Sequence, residues 1–251
     1  DPSALVRDNR LLTYLTDPES KPDSFYYTDA ISDNAARFIG DHARDHAGQP
    51  FFLYVAYTAA HWPLHAKASD IAKYRGRYDA GYDSVRRARF ARQQELGVVP
   101  SGLALPAGVR DWAKVADKAW EARCMEVYAA QVDCMDQGIG RIVRTLESGN
   151  QLDNTLIFYL QDHGGVAVDT GRTARDQRPP PAPPAPLAPA DIQVGSRPKQ
   201  TRDGRPMRSG PGVMPGPDDT FVAYGEAWAQ VSNTPFREYK HWVHEGGIAT
   251  P

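Results

Sequence analysis

The chain has 251 residues, a formal net charge of −2 and two cysteines. That length suits one α/β domain or part of a larger one. The near-neutral charge argues against nucleic-acid and membrane-surface partners, and no apolar run is long enough to cross a bilayer. No signal peptide is visible. The chain opens on Asp1-Pro2 and closes on Thr250-Pro251, which reads as an internal piece of a longer protein.

Residues 1–24 are polar and broken at Asp17-Pro18 and Lys21-Pro22. Asp29 or Ser32 is expected to cap a helix running to about His46, with Ile31, Ala35, Phe38, Ile39 and His42 on one face. Gly48-Gln49-Pro50 ends it. The dense apolar run at 51–58 then predicts a buried parallel strand. Such a strand delivers His61, held between Ala60 and Trp62-Pro63, to the edge of an open sheet, where α/β enzymes keep their sites.

A short helix is expected over 68–74, an Arg-rich, solvent-facing one over 83–95, and a loop over 97–106. The strongest helical rhythm runs over 117–146, carried by Trp120, Met125, Tyr128, Val132, Met135, Ile139, Ile142, Val143 and Leu146. Cys124 and Cys134 fall on that helix but point in different directions, so they are expected to stay free thiols. Gly149-Asn150 stops the helix, and 155–160 predicts a second buried strand. Helix followed by strand, twice over, reads as a parallel α/β sheet covered on both faces. The segment 172–217 is Pro/Gly-rich. Its Ala/Pro tract at 179–189 reads as an extended spacer, with a ligand for a proline-binding domain as the alternative. Order is expected again from about Asp218.

Two further patches carry candidate chemistry. The second strand ends in Asp162-His163-Gly164-Gly165, and two readings stand for it. A carboxylate and an imidazole beside flexible glycines suit metal ligation; alternatively, Asp162 caps the next element of a turn. In Lys240-His241-Trp242-Val243-His244-Glu245-Gly246-Gly247, Lys240 reads either as a point charge for an anionic oxygen or as a solvated lysine. His42, His46, His65, His241 and His244 read as structural. No nucleophile elbow, P-loop or dinucleotide fingerprint is present.

Together the patches resemble the sulfatase family, within the alkaline-phosphatase-like superfamily. The likeness runs through DSFYYTDAISDNAARFI (23–39), PFFLYVAYTAAHWPLHA (50–66), MEVYAAQVDCMDQGIGRIVRTLE (125–147), LDNTLIFYLQDHGG (152–165) and SNTPFREYKHWVHEGGIATP (232–251). It is closest in character to bacterial arylsulfatases. It implies a three-layer α/β/α fold with a mostly parallel sheet, of which 1–251 would be the incomplete central part and 172–217 an insertion or loop.

The resemblance also implies roles. His61 falls on the histidine that contacts the sulfate and protonates the leaving oxygen. Asp162 falls on a ligand of the divalent cation, usually Ca2+. Lys240 falls on the lysine that binds a sulfate oxygen. His163 departs from the usual Asn, which makes it a candidate metal ligand and leaves Mn2+ or Zn2+ open. The family nucleophile is a formylglycine made from Cys or Ser in Cys/Ser-x-Pro-x-Arg, a context that neither Cys124 nor Cys134 has. The expectation is therefore a sulfuric ester hydrolase acting on a small sulfate ester, dependent on a formylglycine maturation system, with the chain alone inactive. A periplasmic or secreted location goes with that family. The alternatives are a phosphodiester or phosphonate monoester hydrolase of the same superfamily, and a non-catalytic sulfatase-like protein.

Overall fold

A computed structural model describes residues 4–177, 182–195 and 197–249. Residues 179–181 of the proline tract, Asp1-Pro2 and Thr250-Pro251 lie outside them. The chain divides into two compact units. One comprises Asp1–Ala60, Gln131–Ile157 and Pro179–Met207; the other comprises His61–Ala130, Phe158–Arg178 and Arg208–Pro251.

In the first unit, β1 (Leu5–Arg7) and β2 (Arg10–Leu12) form an antiparallel hairpin with Leu5 opposite Leu12. Its turn residues, Asp8 and Asn9, have φ of 49° and 62°. Aspartate and asparagine tolerate this left-handed backbone, which matches the twist of the paired strands. The Arg7 guanidinium grips Asp17 through two 2.8 Å bonds. That fork holds the Asp17 carboxyl below the usual carboxylate range.

Helix α1 (Tyr27–Asp45) begins ahead of the expected caps, with Tyr26 at its N-cap and no side-chain cap bond. Asp29 sits in the first turn instead, where a carboxylate favours the helix dipole. The buried stripe is Thr28, Ser32, Ala35 and Ile39, while Phe38 is exposed. Helix α4 (Lys118–Ser148) supplies the facing surface of this unit from Gln131 onward. A Cβ on Gly138 would lie 2.1 Å from Ser32 Oγ, so the two helices touch where both residues are small. The described part of the proline tract is tied down. Leu187 N donates to Arg202 O at 2.8 Å, and the Arg202 guanidinium donates to Ala188 O at 2.6 Å and Pro189 O at 2.9 Å.

The two expected strands do not form. Residues 51–57 form no regular element, with Leu53, Val55 and Tyr57 half-buried and Phe52 and Tyr54 exposed at 92% and 81%. Among the described residues, 51–58 make no backbone–backbone hydrogen bond. Residues 156–160 are likewise unpaired, and Leu156 and Leu160 are exposed at 79% and 72%. The expected mostly parallel, three-layer sheet is accordingly absent among the described residues, whose only sheet is β1–β2. The physical reason is partnership: an apolar run becomes a strand only when neighbours take its backbone bonds and cover its faces.

The second unit carries the larger core. It joins Leu64 and Ile71 to Tyr82, to Trp120, Cys124, Met125, Val127 and Ala130 of α4, and to Val222, Tyr224, Ala227, Trp228, Ala229 and Val231. Its helices are α2 (Ala68–Ala72), α3 (Tyr82–Glu95), the first half of α4, α5 (Gly225–Ser232) and α6 (Glu245–Ile248). Trp228 is fully buried and donates from Nε1 to Glu121 O at 2.9 Å. Helix α3 is not wholly solvent-facing as expected. Arg86 is 2% exposed and donates to Pro106 O, a deep placement that an Arg-rich pattern does not signal. Arg172 and Glu121 form a buried ion pair with oxygen–nitrogen distances of 2.7 and 2.5 Å. Both cysteines are buried, and neither is in a disulfide.

His65 gives this unit a pH dependence. Its Nε2 lies 2.6 Å from Thr220 O and donates to it, because a carbonyl only accepts. Burial pushes its pKa from 6.5 down to about 4. Between those values the unfolded imidazole binds a proton that the folded one refuses. The contribution is therefore fully present above pH 6.5 and is lost as pH falls toward about 4. At most it is worth about 3 kcal/mol. Melting temperature should drop across that window in the wild type and drop less in His65→Gln. Identical pH profiles for the two proteins would refute the assignment.

Candidate active site

Two segments of the second unit build the candidate site, and glycine lets them meet. A Cβ on Gly164 would fall 1.8 Å from Gly246 O, and one on Gly246 would fall 1.9 Å from Arg237 O. Neither position has room for a side chain. Gly164 N donates to Gly247 O at 3.2 Å, and Lys240 N donates to Gly165 O at 3.0 Å. Backbone thus ties the turn after 156–160 to the loop leading into α6.

The side chains follow. Lys240 Nζ lies 2.8 Å from His163 Nε2, and Asp162 Oδ2 lies 3.3 Å from the same nitrogen. An ammonium only donates, so Nε2 accepts in that contact. The other ring nitrogen, Nδ1, carries the proton and donates to Gly164 O at 2.7 Å. Asp162 is 84% exposed at its side chain and Lys240 is partly buried, so a carboxylate, an imidazole and a cation face solvent together. The structure brings Asp162, His163 and Lys240 into one cluster. His61 is exposed, its Nδ1 lies 2.6 Å from Trp62 O, and its ring packs 4.9 Å from the Trp62 ring.

Tyr239 and Trp242, on either side of Lys240 and His241, line a cleft of about 510 Å³ with Pro106, Val109, Gln230 and Arg237. Tyr239 Oη donates to Glu226 at 2.5 Å. Burial and that carboxylate push the Tyr239 hydroxyl up to about 12, so it stays protonated as a donor.

The donor set does not by itself fit the expected metal. Ca2+ takes about six to eight oxygens. Asp162 and His163 offer one carboxylate and one imidazole nitrogen, and that nitrogen is already engaged by an ammonium. Among the described residues there is no cluster of three or more His, Cys, Asp or Glu able to hold an ion. Among the same residues no helix is long and apolar enough to cross a membrane.

The sulfatase family model matches residues 3–251. The chain belongs to the sulfatase family. Its relatives include an uncharacterized sulfatase of Schizosaccharomyces pombe, 32% identical over 210 residues, covering 81% of this chain and 34% of that protein. They also include an arylsulfatase of Klebsiella aerogenes, 31% identical over 250 residues, covering 94% of this chain and 47% of that protein. The chain therefore spans less than half the length of either sulfatase. A solved structure, Ps i-CgsB in complex with k-i-k-neocarrahexaose, is 27% identical and covers 59% of this chain and 23% of that chain; its TM-score of 0.37 is too low to define a sheet arrangement. Membership in the family implies an α/β fold of the alkaline-phosphatase-like kind.

Reading the sequence passed over Asn233, whose buried amide touches both segments of the site. The available signal was its position. It is the C-cap of α5 and stands just before Thr234-Pro235, where a helix must end.

Proposed function

We propose that the protein to which this chain belongs is a sulfuric ester hydrolase acting on a small, arylsulfate-like ester. The observation that carries the reading is the meeting of Lys240 with His163 and Asp162, from segments far apart in sequence, on a solvent-facing edge. In this reading the Lys240 ammonium binds a sulfuryl oxygen as a point charge and stabilises the charge that builds there as the ester S–O bond breaks. His61 gives its proton to the departing oxygen, which leaves as an alcohol or phenol. His61 suits that task because it is exposed beside Trp62 rather than locked in the core. His163 orients Lys240 through the 2.8 Å contact.

The nucleophile in this reading is a formylglycine from outside the chain, since both cysteines are buried and neither has the required context. A divalent cation, Ca2+ by family habit, would need ligands beyond Asp162 and His163, and no step here is assigned to it. In the complete protein, 51–58 and 155–160 would be strands of a mostly parallel sheet covered by helices.

The test compares matched aryl sulfate and aryl phosphate esters on the full-length, matured protein and on this chain alone. Expected are turnover of the sulfate by the full protein, none by the chain, and a loss of about 10²–10³ in kcat for Lys240→Ala. A preference for the phosphate ester, robust turnover by the chain alone, or a Lys240→Ala rate within twofold of wild type would each overturn the reading.

A further inference from the structure

We propose that Asn233 is a positioning residue whose side-chain amide locks the Asp162–His163 turn to the loop that carries Lys240. This rests on reading Asp162, His163 and Lys240 as site residues. Asn233 is 2% exposed, and its amide makes three hydrogen bonds. Oδ1 accepts from Gly165 N at 2.8 Å. Nδ2 donates to Glu238 O at 2.9 Å and to Gly246 O at 2.7 Å. One bond therefore goes to the turn that follows His163. The other two bracket Lys240 in sequence, one before it and one after.

The surroundings show why an amide is needed. Three backbone groups converge on one buried point, one donor and two acceptors. Only a side chain with an acceptor and two donors satisfies all three. The backbone packs closely on the amide: a Cβ on Gly164 would lie 2.9 Å from Asn233 Nδ2. The amide also sits on a rigid base. Asn233 N donates to Ala229 O at 3.0 Å at the end of α5, whose residues Trp228, Ala229 and Val231 are in the core. Core packing thus reaches the Lys240–His163 contact through one side chain. Displacing a charge-stabilising group by about 1 Å costs on the order of 10² in rate.

Asn233→Asp is the sharpest probe. It keeps size and shape and still accepts from Gly165 N–H, but it sets a carboxylate oxygen against Glu238 O and Gly246 O. Asn233→Ala removes all three bonds without burying a charge. Two readouts separate positioning from general stability. The first is amide hydrogen exchange on this chain. At Lys240, exchange should quicken at least tenfold in both variants while the α4 amides stay at wild-type rates. The second is kinetics of the full-length protein on an aryl sulfate, where kcat should fall at least tenfold with KM changed less than threefold.

Wild-type exchange at Lys240 together with kcat within twofold in Asn233→Ala would overturn the proposal. So would loss of protection throughout the unit, or failure of both variants to fold, since either marks a structural residue only. If the wild-type protein turns over no sulfate ester, the functional reading fails, and the exchange comparison still decides whether Asn233 holds the two segments together.

Discussion

Glu121→Ala is expected to cost about 3–5 kcal/mol of stability, measured as a fall in the urea midpoint of this chain. The substitution strands a buried cation. The Arg172 and Glu121 side chains are 8% and 6% exposed. Glu121 accepts both bonds from Arg172 and a third, at 2.6 Å, from Tyr82 Oη. The guanidinium also donates to Ala223 O at 3.0 Å and lies 4.7 Å from the Trp120 ring. Without the carboxylate, most of the guanidinium's compensation for lost water is gone, and the Tyr82 hydroxyl loses its acceptor. A double replacement, Glu121→Leu with Arg172→Met, should cost less than the single one, because it removes both charges and keeps apolar volume. A single-variant cost under about 1 kcal/mol would show that the pair is not desolvated in solution.

The second large effect concerns the unpaired apolar runs. This chain should self-associate at tens of micromolar, and Phe52→Lys with Tyr54→Lys should return it toward monomer in sedimentation velocity. Extended backbone with unused N–H and C=O groups beside aromatic side chains is a template for pairing with another chain. Residues 51–57 have two of these features: no backbone–backbone hydrogen bond among the described residues, and Phe52 and Tyr54 standing in solvent. Lysine on an edge blocks such pairing by charge. A wild-type chain that stays monomeric at about 100 μM would contradict the expectation.

How much was legible depended on how far apart in sequence the deciding contacts lie. Helices α1, α3 and α4 were readable because their period is local, and the structure shifts their ends by only a few residues. Within α3, Arg86 was misread as solvated because its acceptor, Pro106 O, lies on a separate loop. The apolar runs at 51–58 and 155–160 have the composition of strands, but pairing is a property of a neighbour, not of the run itself. At the site, residue types and glycines marked Asp162, His163 and Lys240 as candidates. Their joining depends on Asn233, 68 positions after Gly165, and on glycines that permit backbone-to-backbone approach. Neither is periodic, so neither left a pattern to read. The core placement of α5 was missed for a similar reason: eight residues, Gly225–Ser232, are too few to show a rhythm.

The two cysteines offer a use that packing alone does not suggest. Each compact unit holds one: Cys134 in the first and Cys124 in the second. Both are buried, and burial pushes the Cys124 thiol up to about 12, so very little thiolate exists at neutral pH. A sealed, protonated thiol reacts with an alkylating reagent only after the structure around it opens. The labelling rate at each cysteine therefore times the opening of its own unit. With no foreign label and no added mutation, the chain carries two clocks for its own local unfolding.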